Sequence, residues 1–175
     1  MKRITNILNI IRPSIGKGLG MGLLLLSLFS CDSIDCTINN VVSLKIVFYD
    51  SETQKEVQVA DTLNVTAEGT DSVLYNRGIN VSSVKIPMSY WLEADTLKLD
   101  FYNVTNDTHH PVVLYVDKTN IPHYESPDCP TTMFHVIQGV SFTSTTNYVD
   151  SVIVTNPSVN YNAQENIRVY LHPAS

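Results

Sequence analysis

The stretch Asp95-Thr-Leu-Lys-Leu-Asp-Phe101 decides the fold class, because polar and apolar side chains alternate along it from Thr96 onward. The two leucines and Phe101 would share one face, and the threonine, the lysine and Asp100 would share the opposite face. A period of two residues is typical of a β-strand with one buried face. The same alternation recurs in two further triplets on either side, Leu44, Ile46, Phe48 and Val112, Leu114, Val116.

About nine short segments of this kind are separated by Asn, Asp, Gly and Pro, and no segment has a helical period. Pro87 lacks a backbone donor, which favours an edge strand or a bulge there. A bulge is also expected at Gly139, and the segment from Asn103 to His110 reads as a polar loop. The pattern predicts an all-β fold, an immunoglobulin-like two-sheet β-sandwich of about seven to nine strands.

The first 30 residues have a different character. Lys2, Arg3, Arg12 and Lys17 precede a short apolar run that ends before Ser30 and Cys31, which is the three-part pattern of a secretory signal. The run is shorter than the roughly 20 residues that cross a bilayer, which argues against a retained transmembrane anchor. We therefore expect a signal peptide over residues 1–30, a tether over 31–40 and one domain over 41–175.

The residues around the expected cleavage point, Leu28-Phe29-Ser30-Cys31, resemble the bacterial lipobox, although Phe29 departs from its usual small or β-branched residue. The resemblance implies that Cys31 carries diacylglycerol and an acyl chain such as palmitate. It also implies attachment to the membrane of the cell envelope, here the outer membrane, on a periplasmic or a surface face. The alternative is a buried core cysteine that happens to follow an apolar run.

Lipidation of Cys31 would leave Cys36 and Cys129 as the other two of three cysteines, and an exported protein can oxidise such a pair. We expect a disulfide between them. Two free buried thiols, or a metal site that uses Cys129, are the alternatives.

Charge limits the partners. All 17 acidic residues but only 7 of the 11 basic residues follow Cys31, so the mature chain has a net charge of −10 against −6 for the whole sequence. A chain this acidic without a basic cluster does not bind nucleic acid.

Several strand-and-turn stretches resemble small uncharacterised lipoproteins of Bacteroidetes, a family of unknown function. They are Asp71-Ser-Val-Leu-Tyr-Asn-Arg-Gly78, Val84-Lys-Ile-Pro-Met-Ser89, Asp95 to Phe101, Tyr124-Glu-Ser-Pro-Asp-Cys129, Met133-Phe-His135 and Asn166-Ile-Arg-Val-Tyr170. The resemblance implies an envelope location and little about chemistry.

Aspartate, then serine or threonine, then an aliphatic residue occurs five times, which resembles the O-glycosylation acceptor pattern of exported proteins in that phylum. The resemblance makes the hydroxyls of Ser33, Thr62, Ser72, Thr96 and Ser151 candidate glycosylation sites. The alternative is that Asp-Ser/Thr simply opens a strand, with the aspartate capping the preceding turn.

No catalytic signature is present. The five histidines, His109, His110, His123, His135 and His172, lack metal-ligand spacing, and no nucleophile elbow, phosphate loop or dinucleotide fingerprint occurs. We expect no cofactor, no designed metal site and no enzyme, with His135 as a hydrogen-bonded structural residue. Tyr90-Trp91 and the nine tyrosines could form a binding face, or could simply cover the edge of the core.

The sequence thus favours a non-enzymatic envelope module that binds a protein or glycan partner. A structural subunit of an outer-membrane or fimbria-like assembly is the first alternative, with strand edges that pair with neighbours. A hydrolase of envelope carbohydrate is the second, because carboxylates are plentiful.

Overall fold

The computed structural model describes residues 41–70 and 72–173, and all the regular structure in those ranges is strand. Cys31, Ser33 and Cys36 lie outside the described residues, as does the expected signal peptide. Within the described ranges no helix is long and apolar enough to cross a membrane. The ten strands are β1 (Leu44–Asp50), β2 (Thr62–Ala67), β3 (Val73–Gly78), β4 (Ser83–Ile86), β5 (Ala94–Asn103), β6 (Thr108–His123), β7 (Thr132–Ser144), β8 (Val149–Val154), β9 (Ser158–Val159) and β10 (Ile167–Leu171).

The strands form two sheets, with orders β4-β1-β10-β8 and β3-β2-β5-β6-β7-β9. Their inner faces share one hydrophobic core. The ring of Phe48 meets that of Phe101 edge-on, with centroids 5.8 Å apart, and this contact joins the two sheets directly. The predicted all-β two-sheet sandwich is confirmed, with ten strands where the sequence indicated seven to nine.

The alternation in the opening stretch sets the inner face of β5. Leu97, Leu99 and Phe101 are buried, while Lys98 between them is exposed. Every second residue of β5 turns inward. The strand therefore contributes three apolar side chains to the core while its backbone pairs with β2 and β6 on its flanks.

Two irregularities agree with expectation and one does not. Pro87 directly follows β4, which is an edge strand. Next to Gly139, the register of β6 and β7 shifts so that Gln138 has no partner, which is a bulge. The expected polar loop over Asn103 to His110 is wrong in its second half, because β6 begins at Thr108 and pairs both histidines with β5.

The sandwich has two distinct ends. At the end where the described chain begins, which we call the proximal end, Leu44 pairs with Ile86 and loop 87–93 follows β4. At the opposite, distal end, β1 and β10 run in parallel to Asp50 and Leu171. The β5–β6 turn and the β7–β8 connection also lie at the distal end.

Candidate functional site

A polar cleft of about 750 Å³ opens at the distal end. Its walls come from the ends of β1 and β10, the segment before β2, the β5–β6 turn and the β7–β8 connection. The residues that the argument below uses are Asp61, Asn103, His110, Thr146 and Tyr148. Three turns and two strand ends thus meet around one concave surface.

Asp61 is the buried polar centre of the cleft wall. It directly precedes β2, and its Oδ1 accepts a hydrogen bond of 2.8 Å from Nδ2 of Asn103. The hydroxyl of Tyr148 lies close enough to this carboxylate to interact with it electrostatically. Burial, together with the charge of Asp61, raises the pKa of the Tyr148 hydroxyl, so this group stays protonated and acts as a donor.

An aromatic wall stands beside this carboxylate. The ring of Tyr148 stacks on that of His110, with centroids 4.5 Å apart and an interplanar angle of 14°. On its other side it packs against Phe101, at 4.9 Å, which ties the wall to the core. Flat ring faces of this kind are suited to stacking against an apolar patch of a ligand.

Two polar atoms in this cleft have no hydrogen-bond partner. They are Nδ1 of His110 and Oγ1 of Thr146, and both are inaccessible at the protein surface. Oδ1 of Asp100, outside the cleft, is the third such atom among the described residues. Buried polar groups in folded proteins are normally paired, so these two atoms are exceptions in the wall of the cleft.

A second polar cluster lies at the proximal end, on the inner face of β6. The side chain of Lys118 is fully buried, and its Nζ donates to the carbonyl oxygens of Ser89 at 2.7 Å and Leu92 at 2.5 Å. Oδ2 of Asp95 lies 3.5 Å from Nζ, and Oδ1 of Asn120 lies 2.9 Å away. Lys118 therefore fastens loop 87–93 to the six-stranded sheet.

Desolvation dominates the electrostatics of this cluster. It raises the pKa of Asp95 and lowers that of Lys118, while the attraction between the two groups opposes both shifts. Desolvation, with the nearby charge of Lys118, also lowers the pKa of His135 to about 4. His135 is neutral at pH 7, and its Nδ1 donates to Oδ1 of Asn120 at 2.7 Å. The prediction that His135 is a hydrogen-bonded structural residue is confirmed.

The loop that Lys118 holds presents apolar side chains to solvent. The exposed fraction is 46% for Tyr90, 86% for Trp91 and 59% for Leu92. The hydroxyl oxygen of Ser89 accepts the backbone N–H of Leu92 at 3.2 Å, which closes a turn around the tryptophan. Tyr90 and Trp91 are therefore exposed, on a loop that hydrogen bonds hold from within, and their role as a binding face stays a prediction.

The other predicted site residues are spread over the surface. Thr62 and Thr96 lie half-buried on the outer face of the six-stranded sheet, and Ser72 is exposed before β3. Ser151 is half-buried on β8 and donates to its neighbour Asp150 at 2.8 Å. Four of the five acceptor positions are thus described, and their modification stays a prediction.

The cysteine and histidine predictions have separate outcomes. Cys129 is half-buried in the turn between β6 and β7, and its pairing with Cys36 stays a prediction because Cys36 lies outside the described residues. His109 is exposed and contacts Asp100, with 2.8 Å between Nδ1 and Oδ2. Among residues 41–70 and 72–173 no three His, Cys, Asp or Glu side chains converge as metal ligands would.

The fold and its two clusters define a small all-β domain with a polar cleft at one end and a braced aromatic loop at the other. The chain belongs to a family of unknown function, DUF6452, whose model matches residues 62–171. The match confirms the expected uncharacterised family, whereas the lipoprotein character and the bacterial group stay predictions. No curated protein and no solved structure matches the chain.

Proposed function

We propose that this protein is a lipid-anchored envelope lipoprotein whose domain binds a neutral, hydroxyl-rich ligand such as a glycan in the distal cleft, without catalysing a reaction. The observation that carries the proposal is the cleft itself, about 750 Å³ in volume, in which polar side chains stand beside the stacked rings of His110 and Tyr148. A ligand hydroxyl can both donate and accept, so it suits a lining of amide, hydroxyl and carboxylate groups.

The rest of the lining supports this ligand class. Asn106 and Asn147 add amide groups, and the stacked rings of His110 and Tyr148 add an aromatic surface. Polar groups that fix orientation, next to aromatic area, are typical of small-ligand sites. Asp50 and Glu52 also line the cleft and give it negative charge, which disfavours anionic ligands.

A binding role without catalysis is supported by how the reactive groups are engaged. The carboxylate of Asp61 accepts a hydrogen bond from Asn103 inside the wall and interacts with the hydroxyl of Tyr148. The raised pKa of the Tyr148 hydroxyl keeps it from acting as a base at neutral pH. These groups position one another and hold the cleft in shape.

Saturation-transfer NMR tests the ligand class, with a panel of neutral mono- and oligosaccharides as probes on the full chain. We expect saccharide binding to be lost in His110→Ala and in Thr146→Val. His109→Ala is the matched control, since His109 is the adjacent exposed histidine, and it should bind as the unaltered chain does. Absence of binding to every saccharide, or equal binding by all the variants, would refute the glycan proposal.

Labelling with a radioactive fatty acid in the producing bacterium tests the anchor. We expect label on the unaltered protein and none on Cys31→Ala, because the thiol and the new amino group of Cys31 are the acceptors. Label that persists in Cys31→Ala would contradict lipidation at this residue.

The proposed disulfide is tested by the mass of the tryptic peptides without and with reductant. We expect a peptide pair joined through Cys36 and Cys129, absent from Cys36→Ser. Such a bond closes a loop of about 90 residues, for which the chain-entropy relation gives about 4 to 5 kcal/mol. Free thiols at both positions in protein isolated from the envelope would refute the pairing.

A second candidate function is assembly through a strand edge. β8 forms one edge of the four-stranded sheet, and Ile153 on it is exposed. An edge strand offers unpaired backbone groups to another chain. Native mass spectrometry of the purified protein checks this: a complex that dissociates in Ile153→Lys supports assembly, and a strict monomer argues against it.

A further inference from the structure

We infer that the loop segment 90–92 lies in the interfacial layer of the membrane that holds the lipid anchor, so that the domain contacts the bilayer at a second point. This inference rests on the proposed lipidation of Cys31. The occupant of the apolar loop is thus a lipid surface, made of headgroups and the first carbons of the acyl chains.

The chemistry of the exposed side chains fits this environment. Tyr90, Trp91 and Leu92 protrude together, and Val41, Ile121 and Tyr124 at the same end of the sandwich are exposed as well. Tryptophan and tyrosine favour the boundary between water and hydrocarbon, because their rings are apolar and their N–H or O–H still reaches a polar partner. Exposed apolar side chains that cluster around a tryptophan with 86% exposure mark a surface for interaction with a membrane or a protein.

Hydrogen bonds hold the loop in a conformation that exposes these side chains. Lys118 holds the carbonyl oxygens of Ser89 and Leu92, and Nδ2 of Asn120 donates to the second of these at 2.9 Å. The carboxylate of Asp95 accepts the N–H of Ser89. With both ends of the segment fixed, Trp91 cannot fold back onto the protein, and contact with a membrane costs little ordering entropy.

The position of the loop points to the membrane. Leu44 at the start of β1 pairs with Ile86 at the end of β4, so the start of the described chain and the loop that follows β4 share the proximal end. Cys31 precedes Val41 by ten residues, which span at most about 35 Å when extended. The distal cleft faces away from this end, which leaves it open to a ligand when the loop contacts the bilayer.

The charge of the protein indicates that its contact with the membrane is apolar and not electrostatic. The mature chain is strongly acidic, and Lys118, the basic group that holds the loop, is buried and paired with Asp95. Lys85 on β4 is exposed and lies opposite Lys45 on β1, close to the loop. Against a net charge of −10, these two lysines give anionic headgroups little attraction, so the contact should not weaken as salt rises. This separates it from the usual electrostatic attachment of peripheral proteins.

Trp91 is the only tryptophan of the chain, so its fluorescence reports on this loop alone. The full lipidated protein is reconstituted into phosphatidylcholine vesicles, with and without bromine on the upper acyl carbons. We expect a blue shift of the emission, loss of acrylamide quenching and strong quenching by the brominated lipid, all unchanged in high salt. Emission that stays at its position in water, without bromine quenching, overturns the inference.

The matched control moves the tryptophan to the distal end. Val104 is 68% exposed in the β5–β6 turn, and the variant Trp91→Phe/Val104→Trp places the only indole there. We expect no bromine quenching in this variant, and quenching equal to that of the unaltered chain would overturn the inference. If the emission of Trp91 does not respond to vesicles but is protected from acrylamide in native envelopes, the loop binds another macromolecule and the inference is also wrong.

Fatty-acid labelling on the same preparation separates the two failures. A labelled protein with an unquenched Trp91 refutes the membrane contact and leaves the anchor intact. An unlabelled protein refutes the anchor itself.

Discussion

Replacing Lys118 by methionine is the most informative single change to the folded domain. Methionine has nearly the same length and is apolar, so it fills the space of the lysine without its charge. The carboxylate of Asp95 then stays buried with the N–H of Ser89 but without its cation. The carbonyl oxygen of Ser89 also loses its lysine donor.

The size of the effect follows from these losses. Removing one partner of a buried ion pair costs about 3–5 kcal/mol, because the remaining charge has no compensation. For a urea dependence of about 2 kcal/mol per molar, the unfolding midpoint should fall by about 2 M. Such a loss is a large part of the roughly 5–15 kcal/mol that stabilises a domain.

Urea unfolding, followed by far-ultraviolet circular dichroism, measures this change. Lys98→Met is the matched control, because Lys98 is exposed on the outer face of β5 and should change the free energy of unfolding by no more than about 0.5 kcal/mol. The double variant Lys118→Met/Asp95→Asn should lose less than the sum of the single variants, since it leaves no buried charge behind.

Two results would refute this reasoning. One is a loss below about 1 kcal/mol in Lys118→Met, which would mean that the lysine contributes only what a surface pair does. The other is strict additivity in the double variant, which would mean that Asp95 and Lys118 do not interact.

Two further predictions concern pH and packing. The pKa of His135 is about 4 in the folded protein and 6.5 in the unfolded chain, so its contribution to stability is complete above pH 6.5 and is lost as the pH falls toward 4, by up to about 3 kcal/mol. Chemical unfolding at pH 7 and at pH 4.5 measures this loss, and the difference in the free energy of unfolding between the two pH values should be smaller in His135→Gln. An equal difference in the variant and the unaltered chain would exclude His135 as the cause. In Gly78→Ala the new Cβ would overlap Cε1 of Tyr75, so the half-buried ring of Tyr75 must shift and we expect a loss of about 1 kcal/mol in thermal unfolding. Gly139→Ala meets nothing closer than 3.8 Å and should cost less.

The fold could be predicted because its information is local. The alternation of apolar and polar residues along β5 and β6 indicates which side chains turn inward. The burial of Leu97, Leu99, Val112 and Val116 confirms this prediction. The order of the strands could not be predicted in this way. Pairing of β1 with β10 depends on the whole core, and no short pattern encodes it.

The two polar clusters differ in how visible they are from sequence. Lys118 continues the inward series of Val112, Leu114 and Val116, so simple extension of the alternation predicts a buried lysine that needs a partner. The cleft could not be found in this way. Asp61, His110 and Tyr148 come from three separate segments of the chain, and only the closed sandwich brings them together.

The central place of β1 beside β10 has a consequence for how the chain is made. Ile46 pairs with Ile167, and the backbone N–H of Lys45 bonds the side chain of Asn166, 121 residues later. The four-stranded sheet therefore cannot close until the last strand has been synthesised, since contacts so distant in sequence form late. An export channel that accepts only extended polypeptide would receive such a chain before its hydrophobic core could form. Under the proposed export, translocation would therefore finish first and folding would follow on the far side.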